Sequence, residues 1–267
     1  MFTVEPNEHI TFGTAWQDEH LLVVEKPPRV PTQPGKGHTT DTLLNGLFAR
    51  FGKQLQNLGA SRDFGLLHRL DKDTSGLLIV GLRVPAYDAL REMFVKREIR
   101  KFYWAIVDGQ PKERSGVIRM PIEEGHDQDH WGGPKGKMKL AKISKGGKAA
   151  ITAWRVLESS HMASLIEARP VTGRLHQIRL HMEAIGLPLL GDTFYGPRRV
   201  HTVSPRVALH AHRLAFNHPI TGQPIDVRTN WPGDLRRTLR VVGLHRPGMA
   251  PKGDAVDASS EAADEAA

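Results

Sequence analysis

The sequence predicts an α+β fold with a mixed, mainly antiparallel β-sheet and flanking helices. Three observations carry this. Strand and helix patterns interleave irregularly, without the steady βαβ rhythm of a parallel sheet. Several neighbouring strand patterns are close enough in the chain to be hairpins. No glycine-rich phosphate loop follows a strand, so no nucleotide cofactor is expected.

The elements follow in order. Leu21 to Lys26 is an apolar strand, stopped by Pro27-Pro28, and residues 27–40 are rich in Pro, Gly and Thr and form a loop. Asp41 is placed to cap a helix running to about Phe51, with Leu43, Leu44, Leu47 and Phe48 on one face. Residues 52–67 give no clear pattern. A strand spans Leu77 to Leu82, and a helix spans Val84 to Arg97 on Tyr87, Leu90, Phe94 and Val95. Phe102 to Val107 is the next strand, with Phe102, Trp104 and Ile106 on one face and Lys101, Tyr103 and Ala105 on the other. Residues 109–148 form hairpins and loops. Strands resume at Ala150 to Leu157 and Ala163 to Ala168. Thr172 caps a helix from Gly173 to about Ile185, with Leu175, Ile178, Met182 and Ile185 inward and His176, Arg179 and Glu183 on a neighbouring face. Strands at Ala208 to Phe216 and Ile225 to Arg228 and a short helix over Pro232 to Val242 complete the set.

The chain has 267 residues, enough for one large domain or two small ones, and a substantial core. It contains no cysteine, which excludes disulfides, thiolate metal sites and cysteine nucleophiles. The first ten residues lack an apolar signal segment and no run approaches membrane-spanning length, so a cytoplasmic protein without a membrane partner is expected. The formal charge is +8, but Pro251 to Ala267 holds one Lys against five acids, leaving +12 on residues 1–250. Such a body favours a polyanionic partner, although basic surface also serves simple solubility. The expected organisation is an arm over 1–17, a catalytic domain over 18–246 and a disordered acidic tail over 247–267.

One carboxylate has unusual company. Residues 68–76 are His68-Arg69-Leu70-Asp71-Lys72-Asp73-Thr74-Ser75-Gly76, a cation-flanked acid in a turn that opens onto the apolar run Leu77 to Val80. An acid so placed can be held ionised and rigid, as a nucleophile or base requires.

This string resembles the signature of the RluA-type RNA pseudouridine synthases. Further blocks resemble the same family in its order: Glu25-Lys26-Pro27, Lys101-Phe102-Tyr103-Trp104-Ala105, Thr172 to Arg179, Leu189-Leu190-Gly191-Asp192 with Tyr195-Gly196, and Leu209 to His212 with Phe216-Asn217-His218-Pro219. Together they run from about residue 18 to 230. The resemblance implies a mixed-sheet catalytic domain with a central active-site cleft, no metal, no cofactor, and conversion of uridine in ribosomal or transfer RNA to pseudouridine. It implies that Asp71 is the catalytic aspartate, attacking C1′ or removing the C2′ proton; both routes stay open. It implies that Arg179 pairs with that aspartate, that Tyr103 stacks on the target uracil, and that Arg69 enters the RNA stack when the uridine flips out. Substrate contacts are also expected from His68, Arg174, His176, Gln177 and Lys139, with His68 chiefly shaping the turn. Asp73 is the rival acid, assigned to turn capping.

The lysines Lys135, Lys137, Lys139, Lys142, Lys145 and Lys148 either contact phosphates or form a solvated loop, with no acid in the sequence from Trp131 to Leu157. His126, Asp127, Asp129 and His130 lack a coordination spacing, so no metal site is expected. Many relatives carry an S4-type RNA-binding module ahead of the catalytic domain. About twenty residues precede the first block here, so target selection is expected from the catalytic domain, its loops or the arm. A monomer is expected. The competing readings are a non-catalytic RNA-binding or RNA-folding protein on the same scaffold and, more remotely, a histidine-based metal hydrolase.

Overall fold

The computed structural model describes residues 3–35, 37–126 and 139–248. In chain order they form β1 (Gly13–Gln17), β2 (Leu21–Lys26), α1 (Leu43–Leu58), β3 (Ser75–Gly81), α2 (Val84–Val95), β4 (Arg100–Asp108), β5 (Ser115–Arg119), β6 (Ile122–His126), β7 (Lys139–Ile143), β8 (Ile151–Ser159), β9 (Ala163–Pro170), α3 (Gln177–Ala184), β10 (Leu209–Asn217), β11 (Pro224–Arg228) and α4 (Arg236–Val241). They cluster into two compact units: residues up to 101 with 210–230, and residues 102–209 with those from 231 onward. The expectations for Asp127, Asp129, His130, Lys135, Lys137 and the tail beyond 248 lie outside the described residues.

The first unit is a five-strand sheet in the order β1-β2-β3-β10-β11. Its pairings are antiparallel except β3 with β10, which is parallel through Ser75–His210 and Gly76–Ala211, so the sheet is mixed. Leu77 to Val80 is buried on both faces, which is why the sequence is an unbroken apolar run rather than an alternation. Leu21, Val23, Leu77 and Ile79 pack with Leu90 of α2 and with Leu214, Phe216, Ile225 and Val227. Full burial of one such side chain contributes roughly 1.5–3 kcal/mol. Gly76 is required where β3 meets β10. It adopts φ +116°, and a Cβ there would lie 2.2 Å from the carbonyl oxygen of Ala211. The arm expected over residues 1–17 supplies β1, paired along β2.

The second unit carries the antiparallel order β4-β9-β8-β5 and a separate hairpin, β6-β7. Trp104 and Ile106 of β4 pack with Leu165, Leu190, Trp231 and Leu239, the two indole rings 5.7 Å apart. Tyr103 and Ala105 on the other face are buried as well, while Phe102 is half-buried, so β4 is covered on both faces from Tyr103 onward.

Two helix starts differ from expectation, for the same physical reason. Thr42, not Asp41, precedes α1, and its N–H donates to the Asn45 side chain at 3.1 Å. The Asp41 carboxylate instead takes the His38 imidazole at 2.6 Å. The helix also continues past a bend at Phe51 to bury Leu55 and Leu58. Helix α3 begins at Gln177 rather than Gly173. Thr172 Oγ1 accepts from the N–H of Ile151 at 2.9 Å and donates to Gln177 Oε1 at 2.7 Å, while His176 adopts a left-handed φ of +53°. The faces shift accordingly. Leu175 and Ile185 are only half-buried; Arg179 and Glu183, four apart on α3, share a side of the helix, but Arg179 is buried and Glu183, a turn further on, is exposed.

Candidate active site

The turn that carries Asp71 is held through its backbone from both sides. Thr32 Oγ1 donates to the carbonyl of Leu70 at 2.8 Å and accepts the Leu70 N–H at 3.1 Å. The Asp71 carbonyl accepts the N–H of Thr74 at 3.1 Å. The Lys72 carbonyl accepts from the Lys26 ammonium at 3.1 Å. Lys26 is fully buried, and its ammonium also donates to the carbonyls of Pro27 at 2.8 Å and Val30 at 2.7 Å. A buried ammonium is tolerated only when its donors are satisfied, and these carbonyls do so while fixing the loop after β2 to the acid turn. The Asp71 residue is half-buried and Arg69 is exposed.

His68 completes the turn. Its Nε2 accepts the N–H of Ile79 at 3.0 Å, and its ring lies 5.0 Å from that of Phe94. An acceptor at Nε2 places the proton on Nδ1 and leaves the ring neutral. Burial holds the imidazole far below its usual range, at about 3, and the Lys101 ammonium adds to the shift. Lys101 is itself pushed down to about 8 by burial. For His68, between pH 6.5 and about 3 the unfolded chain takes up a proton that the folded chain refuses. The His68 contribution to stability is therefore complete above pH 6.5 and is lost progressively below it. In His68→Gln, which keeps an acceptor but does not titrate, the fall in urea midpoint between pH 7.5 and pH 5 is expected to be smaller than in the wild type.

In the second unit the start of α3 gathers His176, Gln177 and Arg179, with Arg174 just ahead. The Arg179 guanidinium forms a two-pronged pair with Asp192, Nε to Oδ2 and Nη2 to Oδ1, each at 2.8 Å, with side chains 5% and 2% exposed. It also faces the rings of Tyr195 and Phe194, at 5.0 and 5.6 Å. Burial works against the Asp192 carboxylate, but Arg179 and the N–H groups of Tyr195 and Phe194 outweigh it and hold the group below the usual carboxylate range. Asp192 follows Gly191, whose φ of +74° and whose approach to Arg206 leave no space for a Cβ. Asp192 is the partner that helix spacing alone does not disclose; the Gly-Asp step after an apolar pair was the available signal.

Gln177 is buried, and its amide has four protein partners: Oε1 accepts from Thr172 Oγ1 and the Arg174 N–H, and Nε2 donates to the Ile151 carbonyl and Thr152 Oγ1. His181 donates from Nε2 to the Met120 carbonyl at 2.9 Å and takes Thr152 Oγ1 at Nδ1. These bonds set the position of α3. His176 Nδ1 lies 2.7 Å from the Tyr195 hydroxyl, which accepts the N–H of Ala141 from β7. Arg174 donates to the carbonyl of Ala149 at 3.1 Å. Tyr103 is buried on β4 opposite Ala168. Lys139 lies in β7 opposite His126. The same hairpin sets Glu123 of β6 against Lys142, at 3.8 Å, an acid that the linear stretch around the lysines does not contain. Asp71, His68 and Arg69 belong to the first unit; Tyr103, Lys139, Arg174, His176, Gln177 and Arg179 belong to the second.

Residues 20–184 match the family model for RNA pseudouridylate synthase. The chain belongs to the RNA pseudouridine synthase family, of the RluA type. Ribosomal large subunit pseudouridine synthase D of Zymomonas mobilis is 37% identical over 246 residues, covering 89% of this chain and 74% of that protein. An uncharacterized RNA pseudouridine synthase of Synechocystis is 35% identical over 233 residues, covering 87% and 69%. The solved human RNA pseudouridylate synthase domain containing 4 aligns with a TM-score of 0.65 at 25% identity, over 88% of this chain and 95% of that one. This pseudouridine synthase is accordingly an isomerase acting on RNA, with the α+β architecture of its solved relatives. Among the described residues no helix is long and apolar enough to cross a membrane. The acid turn, Tyr103 and Arg179 all fall inside the matched residues 20–184.

Proposed function

We propose that this pseudouridine synthase isomerises uridine in RNA of the large ribosomal subunit, with Asp71 as its catalytic carboxylate. The observation that carries the assignment of Asp71 is the anchoring of its turn by Lys26 and Thr32, which holds the backbone of the carboxylate rigid. The name of the Zymomonas relative supports the choice of RNA. In the reaction the N1–C1′ bond of the flipped uridine breaks, the base rotates, and C5 bonds to C1′. The C5 proton leaves and N1 gains one. Asp71 serves by attacking C1′ or by removing the C2′ proton. Arg179 acts as its cationic partner, with a guanidinium fork already oriented by Asp192. Tyr103 stacks on the uracil, and Arg69 occupies the space the uridine vacates. His176, Arg174 and Lys139 contact the RNA, whereas His68 and Gln177 act through the backbone they hold. The synthase works as a cytoplasmic monomer.

Pseudouridine-specific chemical mapping of ribosomal and transfer RNA, from cells with and without the gene, tests this. Loss of modification at a large-subunit position is expected in the deletion. Loss confined to transfer RNA would move the substrate. No loss anywhere would favour the RNA-folding alternative.

A further inference from the structure

We infer that Phe194 is a stacking platform for a nucleobase of the bound RNA; the inference rests on the RNA-modifying reading above. Among the described residues Phe194 is the one exposed Phe, Tyr or Trp, 43% accessible. The backbone beneath it is braced. Asp192 Oδ1 accepts the N–H of Phe194 at 3.0 Å and that of Tyr195 at 3.1 Å, and the same oxygen takes Arg179 Nη2 at 2.8 Å. The ring has its own support, since the Arg179 guanidinium lies over it, 5.6 Å from the centroid. One face of the ring is thus turned to a side chain only 5% exposed, and the accessible area belongs to the other side.

Exposing a phenyl ring forgoes the gain of burying it, and here the ring is held out on a hydrogen-bonded turn. The surroundings select the ligand. A protein-docking patch needs contiguous apolar area, but the nearby Thr193, Arg198 and Arg199 are polar or charged, and exposed. A single flat ring in a turn that also carries cations suits a partner with flat rings on an anionic backbone, which is RNA with an unpaired base. The target uracil is assigned to Tyr103, so Phe194 takes the base of a different nucleotide. Every base has a π-face, so the contact adds affinity and register more than sequence choice.

The test is binding of unmodified large-subunit ribosomal RNA, transcribed in vitro, to the full chain across a salt series, with pseudouridine formation and urea midpoints measured in parallel. Phe194→Leu keeps apolar bulk but has no π-face, and is expected to weaken binding roughly 5- to 100-fold, the loss of one base–aromatic stack. The slope of log Kd against log salt should be retained, because a stack neutralises no phosphate. Phe194→Tyr keeps the π-face and is expected to bind within about twofold of the wild type. Met162→Ala shortens another exposed apolar side chain of the same unit and should leave Kd unchanged. If Phe194 only braces the Arg179–Asp192 pair, Phe194→Leu lowers the urea midpoint or kcat and leaves Kd in place, a result that would overturn the platform. Equal losses of affinity in Phe194→Leu and Phe194→Tyr, or a reduced salt slope in Phe194→Leu, would overturn it too. A wild type that binds but makes no pseudouridine would instead sink the functional reading, while the contrast between the two Phe194 substitutions still decides the fate of the stack.

Discussion

Asp71→Asn is expected to lower pseudouridine formation by at least about 10³-fold, because the amide offers neither a nucleophile nor a base of useful strength. Release of tritium from RNA labelled at uridine C5 measures this directly, since that hydrogen leaves in every turnover. Folding should be little affected. Thr32, Thr74 and Lys26 anchor the turn through the backbone of residues 70–72 and make no demand on the charge at position 71. A change within about 1 kcal/mol in stability is expected, as for a conservative substitution outside the core. Turnover near the wild-type rate in a folded Asp71→Asn would end the assignment. Asp73→Asn is the useful companion, because it sits in the same string and has no part in the proposed chemistry.

The parts of the fold that were legible are those where local pattern and tertiary burial agree. Strands β2, β3, β8, β9 and β10 lie within a residue or two of their expected positions, because apolar runs or alternations bounded by Pro, Gly and polar clusters leave little choice of element. The helix starts were not legible in the same way. Whether Thr172 caps a helix or ties a loop to β8 depends on Ile151, some twenty residues earlier, and that bond has no local signature. The site shows the same division. Asp71 and Arg179 stand out through their motifs, but what holds them does not. Lys26 appears in the sequence as part of a Lys-Pro step, and its role depends on a carbonyl at position 72. The lysines after residue 134 look free of acids until the hairpin brings Glu123 across from Lys142. Long-range polar pairing is the information that a single sequence carries least visibly, and the positioning of this site is made of it.

Arg179 offers the sharpest separation of structure from chemistry, because its two expected roles respond differently to two substitutions. Removing the guanidinium in Arg179→Ala leaves the Asp192 carboxylate buried without its ion partner, which costs roughly 3–5 kcal/mol and lowers the urea midpoint accordingly. Loss of activity in that variant is therefore ambiguous on its own. Arg179→Lys keeps a positive charge near Asp192 but cannot reproduce two parallel N–H bonds at 2.8 Å. The stability loss should be the smaller of the two, which the urea midpoint at 25 °C checks. If Arg179 also orients and compensates Asp71, kcat should still fall by on the order of 10²-fold in Arg179→Lys, with KM for the RNA changed much less, since the loss falls on the reacting carboxylate rather than on phosphate contacts. If Arg179 only braces Asp192, turnover should track the folded fraction and kcat per folded molecule should stay near the wild-type value. Asp192→Asn supplies the converse, because Arg179 keeps its charge but loses the carboxylate that aims it. A kcat deficit shared by Arg179→Lys and Asp192→Asn, beyond what their stabilities explain, is the result that would tie the buried pair to the chemistry at Asp71.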